Sequence, residues 1–390
     1  MKQINSFSSV LRLALCAVAI VFLSTSCIKE EAPNAEADII ECWIDGDVLR
    51  RPAQIDNDSI TLYVKEGVNV TWLAPLFRIT DGATMLPPSG IARNFSTPQY
   101  YFVTSEDGAW SKCYAVNVVV PQSVDEESDT VMLFTFENVK SKSSLFANYP
   151  VFYDVNIPLL GSFDWASGNA GFSLSGMASA ESDYPTHSSA EGYEGACVEL
   201  VTCSAGSFGA MAGKPIAAGN IFLGTFDVAK AMSDPLASTL FGMPIAAVPA
   251  RLEGWLNYKA GATFYVADEA QGSGMRAVEG RKDLCSIYAV FFETTDDMLY
   301  LTGDNPCSPS NPNILSVAQL PDNLCGDSDG WLHFSVPFVL REGKTVDAAK
   351  LRSGSYSLAL VCSSSADGAA FAGAIGSTLR VDNLKVVFEY

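Results

Sequence analysis

The chain of 390 residues has only two histidines, His187 and His333. They lie far apart and in different contexts, so a histidine-based triad or a His-rich metal site has too few parts. No two cysteines are spaced Cys-x-x-Cys, which removes the common zinc and redox motifs. Positive charge is scarce: 24 Lys and Arg stand against 44 Asp and Glu, for a formal net charge of -20. Nucleic acid and anionic membrane surfaces are therefore poor partners. Helical periodicity is also hard to find. Beyond the N-terminus every apolar run is short and broken by Gly, Pro or charge, so no later segment reads as a membrane-spanning helix.

The N-terminus carries an address. Lys2 and Arg12 precede the apolar run Leu13 to Leu23, which has the length of a secretory h-region and is too short to span a bilayer. Leu23-Ser24-Thr25-Ser26-Cys27 follows and resembles the lipobox of bacterial lipoproteins. That resemblance implies cleavage after residue 26 and a lipid on Cys27, which would anchor the chain to a membrane through acyl groups alone. Cys27-Ile28-Lys29-Glu30-Glu31 resembles the surface-export signal of Bacteroidota lipoproteins, so the expected location is the outer membrane, lipid-anchored and exposed at the cell surface.

Eight cysteines remain beyond Cys16 and Cys27. An oxidising compartment permits disulfides. Cys42 with Cys113, and Cys307 with Cys325 across a Pro-rich loop, are candidate pairs; buried free thiols are the alternative.

Strand signals dominate the rest, and the expected fold is all-β. A tether over 27–37 precedes an immunoglobulin-like sandwich over 38–121, in which Lys112 to Val120 alternates and Ile60 to Val64 and Val68 to Trp72 read as short strands. The polar, acidic stretch 122–129 reads as a linker. Residues 130–390 read as a larger jelly-roll β-sandwich. Within it, Asp227 to Leu240 has room for a short helix, interrupted by Pro235.

Several segments carry a family resemblance. They are Phe134-Thr135-Phe136-Glu137, Trp165-Ala166-Ser167-Gly168-Asn169, Ala217 to Gly224, Leu252 to Tyr258, and Leu379-Arg380-Val381-Asp382-Asn383-Leu384. In this order they resemble the putative carbohydrate metabolism domain family of Bacteroidota lipoproteins, whose fold is similar to jelly-roll carbohydrate-binding modules. The resemblance implies non-catalytic capture of a polysaccharide or oligosaccharide, beside a polysaccharide-uptake system. The alternatives are a structural or adhesive, fimbria-like envelope lipoprotein and a carbohydrate-active enzyme.

Sugar rings present C–H faces on which aromatic side chains stack. The candidate glycan-binding residues are Trp165, Tyr184, Trp255, Tyr258 and Trp331. Trp165, set between Asp164 and a Ser-Gly-Asn run, is the leading loop candidate. Trp255 and Tyr258 fall on opposite faces of one strand. Glu137 and Asp382 sit near the first and last strands and form a candidate pair for a structural calcium, although binding requires no cofactor. No catalytic pair stands out among the carboxylates.

Overall fold

The computed structural model describes residues 33–120, 131–143, 147–231, 233–268, 270–271, 274–304 and 306–388. The leader, Cys27, the first part of the tether and the 122–129 linker lie outside the described residues. Among the described residues no helix is long and apolar enough to cross a membrane.

The first unit is a small β-sandwich. Gln54–Ile55, Ser59–Tyr63, Ser111–Val119, Gln99–Thr104 and Thr84–Leu86 form one sheet in that order, and Ile39–Trp43 pairs with Leu76–Ile79. Ile60, Leu62, Tyr101, Val103, Tyr114 and Val116 point into one core, as period-2 alternation requires. The expected strand at Val68 to Trp72 is instead a 3-10 turn, Val70–Trp72. The Asn69 side chain accepts the Thr71 N–H at 3.0 Å, a local bond that competes with strand pairing.

The second unit is a jelly-roll sandwich of two antiparallel sheets. In the first, Thr186–Ser189, Cys197–Val201, Thr378–Phe388, Pro249–Lys259 and Leu332–Pro337 lie side by side, and Val131–Phe134 joins the far half of the Thr378–Phe388 strand. In the second, Asn220–Phe222, Tyr356–Ser363, Ser286–Glu293, Ile314–Gln319 and Val339–Leu340 follow one another. Leu252, Leu256, Leu379, Val381 and Leu384 meet Ile287, Ala289, Phe291, Leu358 and Leu360 between the sheets. Each of these Leu, Ile, Val and Phe side chains contributes about 1.5–3 kcal/mol by leaving water.

Pro235 does not interrupt a helix; it opens one. Pro235–Ser238 starts at the proline, and Asp234 accepts the Ala237 N–H at 3.1 Å. Proline suits this position because the first N–H of a helix has no partner to lose.

Neither candidate disulfide forms; all eight thiols are free. Cys42 and Cys113 sit on strands of different sheets. Between Cys307 and Cys325 runs the strand Ile314–Gln319, not an open loop. Cys325 is buried beside Cys285, whose backbone N–H it accepts at 2.9 Å. The neighbouring Cys325 thiol, together with burial, pushes the Cys285 pKa up, and the Cys325 thiol itself donates to the Pro321 carbonyl at 3.4 Å.

The two units touch through charge and rings. Lys142 meets Asp58 at 2.7 Å, and the buried Arg51 guanidinium lies 5.0 Å from the Tyr63 ring and 4.4 Å from the Tyr300 ring.

Candidate functional site

The second sheet is unusual in being apolar on both faces. Phe222, Val290, Phe292, Ala359 and Val361 point away from the main core, yet they are buried in a separate cluster with Phe241 and Leu301. Loops and short helices roof them, and the roof leaves a cavity of about 420 Å³. That volume lies within the range of small-ligand pockets.

Two cross-strand rows form the cavity floor. Phe222, Val361, Tyr288 and Gln319 are successive partners in one row, and Asn220, Ser363 and Ser286 in the next. Phe172, Phe208, Phe226 and Phe371 contribute to the walls. Burial holds the Tyr288 phenol far above its ordinary pKa, so it stays a neutral hydroxyl. Lys214 also lines the cavity and donates to the Ala231 carbonyl at 3.5 Å. No carboxylate lines it among the described residues. Aromatic walls over a floor of neutral hydroxyl and amide groups suit an uncharged ligand with apolar faces and polar edges.

Of the segment Trp165 to Asn169 only Gly168 lines this cavity, while Trp165, Ala166 and Ser167 border the cleft between the two units. Trp165 is a core residue, 3% exposed. Its Nε1–H donates to Asp154 at 2.7 Å, and its ring packs against Phe134, Phe136 and Phe163. The hairpin of Asn148–Ile157 with Gly161–Asp164 draws it inward. Ala166 then bridges Phe222, and the Asn220 Oδ1 accepts the Gly168 N–H at 2.9 Å. Asn169, fully buried, donates to the Pro150 and Thr186 carbonyls and accepts the Thr186 N–H. These bonds fix the Asn169–Phe172 helix, and with it Phe172, at the cavity edge.

Two more expected ring platforms are core as well. Tyr184, 2% exposed, packs between Tyr149 and Phe172. Tyr258 is fully buried and donates to the Ser364 carbonyl at 3.1 Å. In these three places the covered faces leave no surface for a sugar.

Trp255 and Trp331 lie elsewhere, toward the outer face of the first sheet. Trp255 points outward beside His333, with centroids 5.0 Å apart. Tyr193, which the sequence reading did not single out, reaches over from the 190–196 loop and stacks on Trp255 at 3.8 Å and 10°. It meets Trp331 edge-on at 6.3 Å. Nothing in its local sequence, Gly192-Tyr193-Glu194, marks it apart from other loop tyrosines.

Glu137 and Asp382 are brought to this same loop. Glu137 accepts the Ala196 N–H at 3.1 Å, and Asp382 accepts the Glu194 and Asn383 N–H groups at 2.9 and 2.7 Å. Burial raises the Asp382 pKa, against the pull of those N–H donors. A calcium ion would have to compete with the donors for the same oxygens. Among the described residues no group of three or more His, Cys, Asp or Glu is placed to hold a metal.

One motif escaped the sequence reading: Gly326-Asp327-Ser328-Asp329-Gly330 has the Gly-x-Ser-x-Gly spacing. Here it lies in bends, not at a strand-to-helix elbow. Ser328 Oγ accepts the Tyr258 N–H at 2.9 Å and donates to the Gly330 carbonyl at 2.9 Å, which are turn contacts.

Comparisons with known proteins agree with this architecture. Residues 46–118 match the family described as "SGBP, N-terminal". A solved structure described as a putative glycoside hydrolase from Bacteroides thetaiotaomicron is similar to the chain, with 40% identity, 93% of this chain and 99% of the other covered, and a TM-score of 0.81. Another so described, from Bacteroides vulgatus, shares 38% identity over 66% of this chain and 98% of the other, with a TM-score of 0.60. The search of curated proteins gave no match. Residues 135–387, the jelly-roll unit almost whole, match the family described as "Putative carbohydrate metabolism domain", and to that family the chain belongs.

Proposed function

We propose that the protein captures a glycan without cleaving it, holding an uncharged saccharide in the cavity on the outer face of the second sheet. The observation that carries this reading is the cavity's lining: aromatic walls, neutral hydroxyl and amide groups on the floor, Lys214 bonded to the Ala231 carbonyl, and no carboxylate among the described residues. Glycoside hydrolysis ordinarily needs two carboxylates flanking the scissile bond, and this cavity offers none of them. The family match and the domain described as "SGBP, N-terminal" support a carbohydrate role. A lipid on Cys27 would tether the protein at the outer surface of the cell, beside a polysaccharide-uptake system. Binding needs no metal in this reading.

The test is a panel of polysaccharides in affinity gels. Wild type should be retarded by at least one uncharged glycan. Ser286→Trp, which fills the cavity floor, should abolish the binding of short oligosaccharides in calorimetry while the melting temperature stays within a few degrees. Full binding by that variant would end the reading.

The descriptions of the two solved relatives favour a second reading, hydrolysis. Carboxylates do converge in the cleft between the units, where Asp56 is raised by burial, Asp58 pairs with Lys142 and Asp164 pairs with Lys140. Release of reducing sugar by wild type, lost in Asp56→Asn, would establish that reading instead.

A further inference from the structure

The outer face of the first sheet carries an aromatic stack that belongs to none of the apolar cores. Tyr193, Trp255 and Trp331 are absent from every buried cluster of the described residues. Tyr193 is 40% exposed although one face lies flat on Trp255 at 3.8 Å. A loop tyrosine normally loses little by moving freely in water. This one is fixed by the sheet beneath it, through bonds from Asp382 to the Glu194 N–H, from Glu137 to the Ala196 N–H and from Asn383 Nδ2 to Glu194. Arg380 adds a bond to Glu191 at 2.8 Å. The rotational entropy of the exposed ring is thus already lost before anything binds, which is what makes an aromatic an efficient stacking surface.

The surroundings select the ligand. Glu191, Glu194 and Glu253 stand around the stack. Arg380 is engaged by Glu199 and Glu191, Arg251 is engaged by Glu253, and Lys385 faces Glu253 across the strand pair. A uronate or sulfated sugar would find carboxylates there, with Arg380 and Arg251 already paired. A neutral sugar would find a flat ring, the edge of Trp331 and the exposed imidazole of His333. An open sheet face, with no roof of loops over it, accepts a chain at any internal position.

We infer that Tyr193, supported by Trp255 and flanked by Trp331, is a second glycan-binding surface, specific for internal units of an uncharged polysaccharide and separate from the cavity. It does not depend on the cavity holding a sugar.

The test compares wild type, Tyr193→Ala, Tyr193→Phe and Ser286→Trp. Each is run in affinity gels containing uncharged polysaccharides (galactan, xylan, glucan) or polygalacturonate, and separately titrated with short oligosaccharides. Tyr193→Ala should weaken retention by an uncharged polymer about tenfold, a loss typical of one stacked ring. It should leave oligosaccharide titration unchanged. Tyr193→Phe should keep retention, because the ring and not the hydroxyl carries it. Tyr193 is a loop side chain outside the cores, so these variants should fold; Trp331→Ala gives a second, independent loss. Retention by Tyr193→Ala equal to wild type would overturn the inference, as would preferential binding of polygalacturonate or the absence of any polymer retention in wild type. Loss of oligosaccharide binding in Ser286→Trp alone, with polymer retention intact, speaks to the cavity and leaves the surface standing.

Discussion

The outer faces of the two jelly-roll sheets are built on opposite plans. On the first sheet the outward positions of Pro249–Lys259 are Arg251, Glu253, Trp255, Asn257 and Lys259, alternating with buried Leu252, Leu256 and Tyr258. On the second, Tyr356–Ser363 is buried at nearly every position, because loops cover its outer face as the first sheet covers its inner one. A sheet with one solvated face alternates, and a sheet covered on both faces reads as a continuous apolar run. The contrast places an open, charged aromatic platform on one side of the sandwich and a roofed cavity lined by no described carboxylate on the other.

The largest test of that contrast is a pair of outward substitutions. Phe292→Ala, on the covered face, should cost about 3–5 kcal/mol in urea unfolding. Glu253→Ala, on the open face, should change stability by no more than about 0.5–1 kcal/mol, since its bond to Arg251 is solvent-exposed. Equal losses would mean that the two faces are not differently covered.

A smaller effect sharpens the picture of the open face. His187 and Glu199 bond at 3.1 Å, and Glu199 is also held by Arg380. Burial pulls the His187 pKa down, but the Glu199 carboxylate, the Tyr184 carbonyl and nearby Asp183 outweigh it, and the net shift is upward. A raised folded-state pKa stabilises the protein fully below the unfolded value near 6.5 and loses that contribution as pH rises through the folded value. His187→Gln should therefore cost about 1 kcal/mol near pH 5.5 and progressively less above pH 7. A deficit that grows with pH would contradict the assignment. The smallest effect concerns metal: chelation with EGTA should leave the melting temperature unchanged, because N–H donors already satisfy Asp382 and Glu137. A fall on chelation would show that calcium holds the loop.

Much of the fold was legible because alternation is local. The strands Ser59–Tyr63 and Ser111–Val119 lie close to the runs Ile60 to Val64 and Lys112 to Val120 where the pattern put them, and Trp255 and Tyr258 do face opposite ways. The site was harder to see. Trp165 reads as a loop residue because Asp, Ser, Gly and Asn surround it, yet Asp154 draws its indole N–H inside. Polar neighbours signal exposure only when nothing buried pairs with them. Tyr193 carries no local mark at all, since its role comes from Trp255, distant in the chain.

The sequence by itself determined the β class, the inward and outward sense of the long strands, and a formal net charge of -20. Periodicity and net charge need no knowledge of distant contacts. Only the tertiary structure decided which sheet is roofed, which aromatic rings keep an open face, and that Glu137 and Asp382 meet the 190–196 loop. Those outcomes depend on side chains far apart in sequence arriving within a few ångströms of one another, and no local pattern encodes such an encounter.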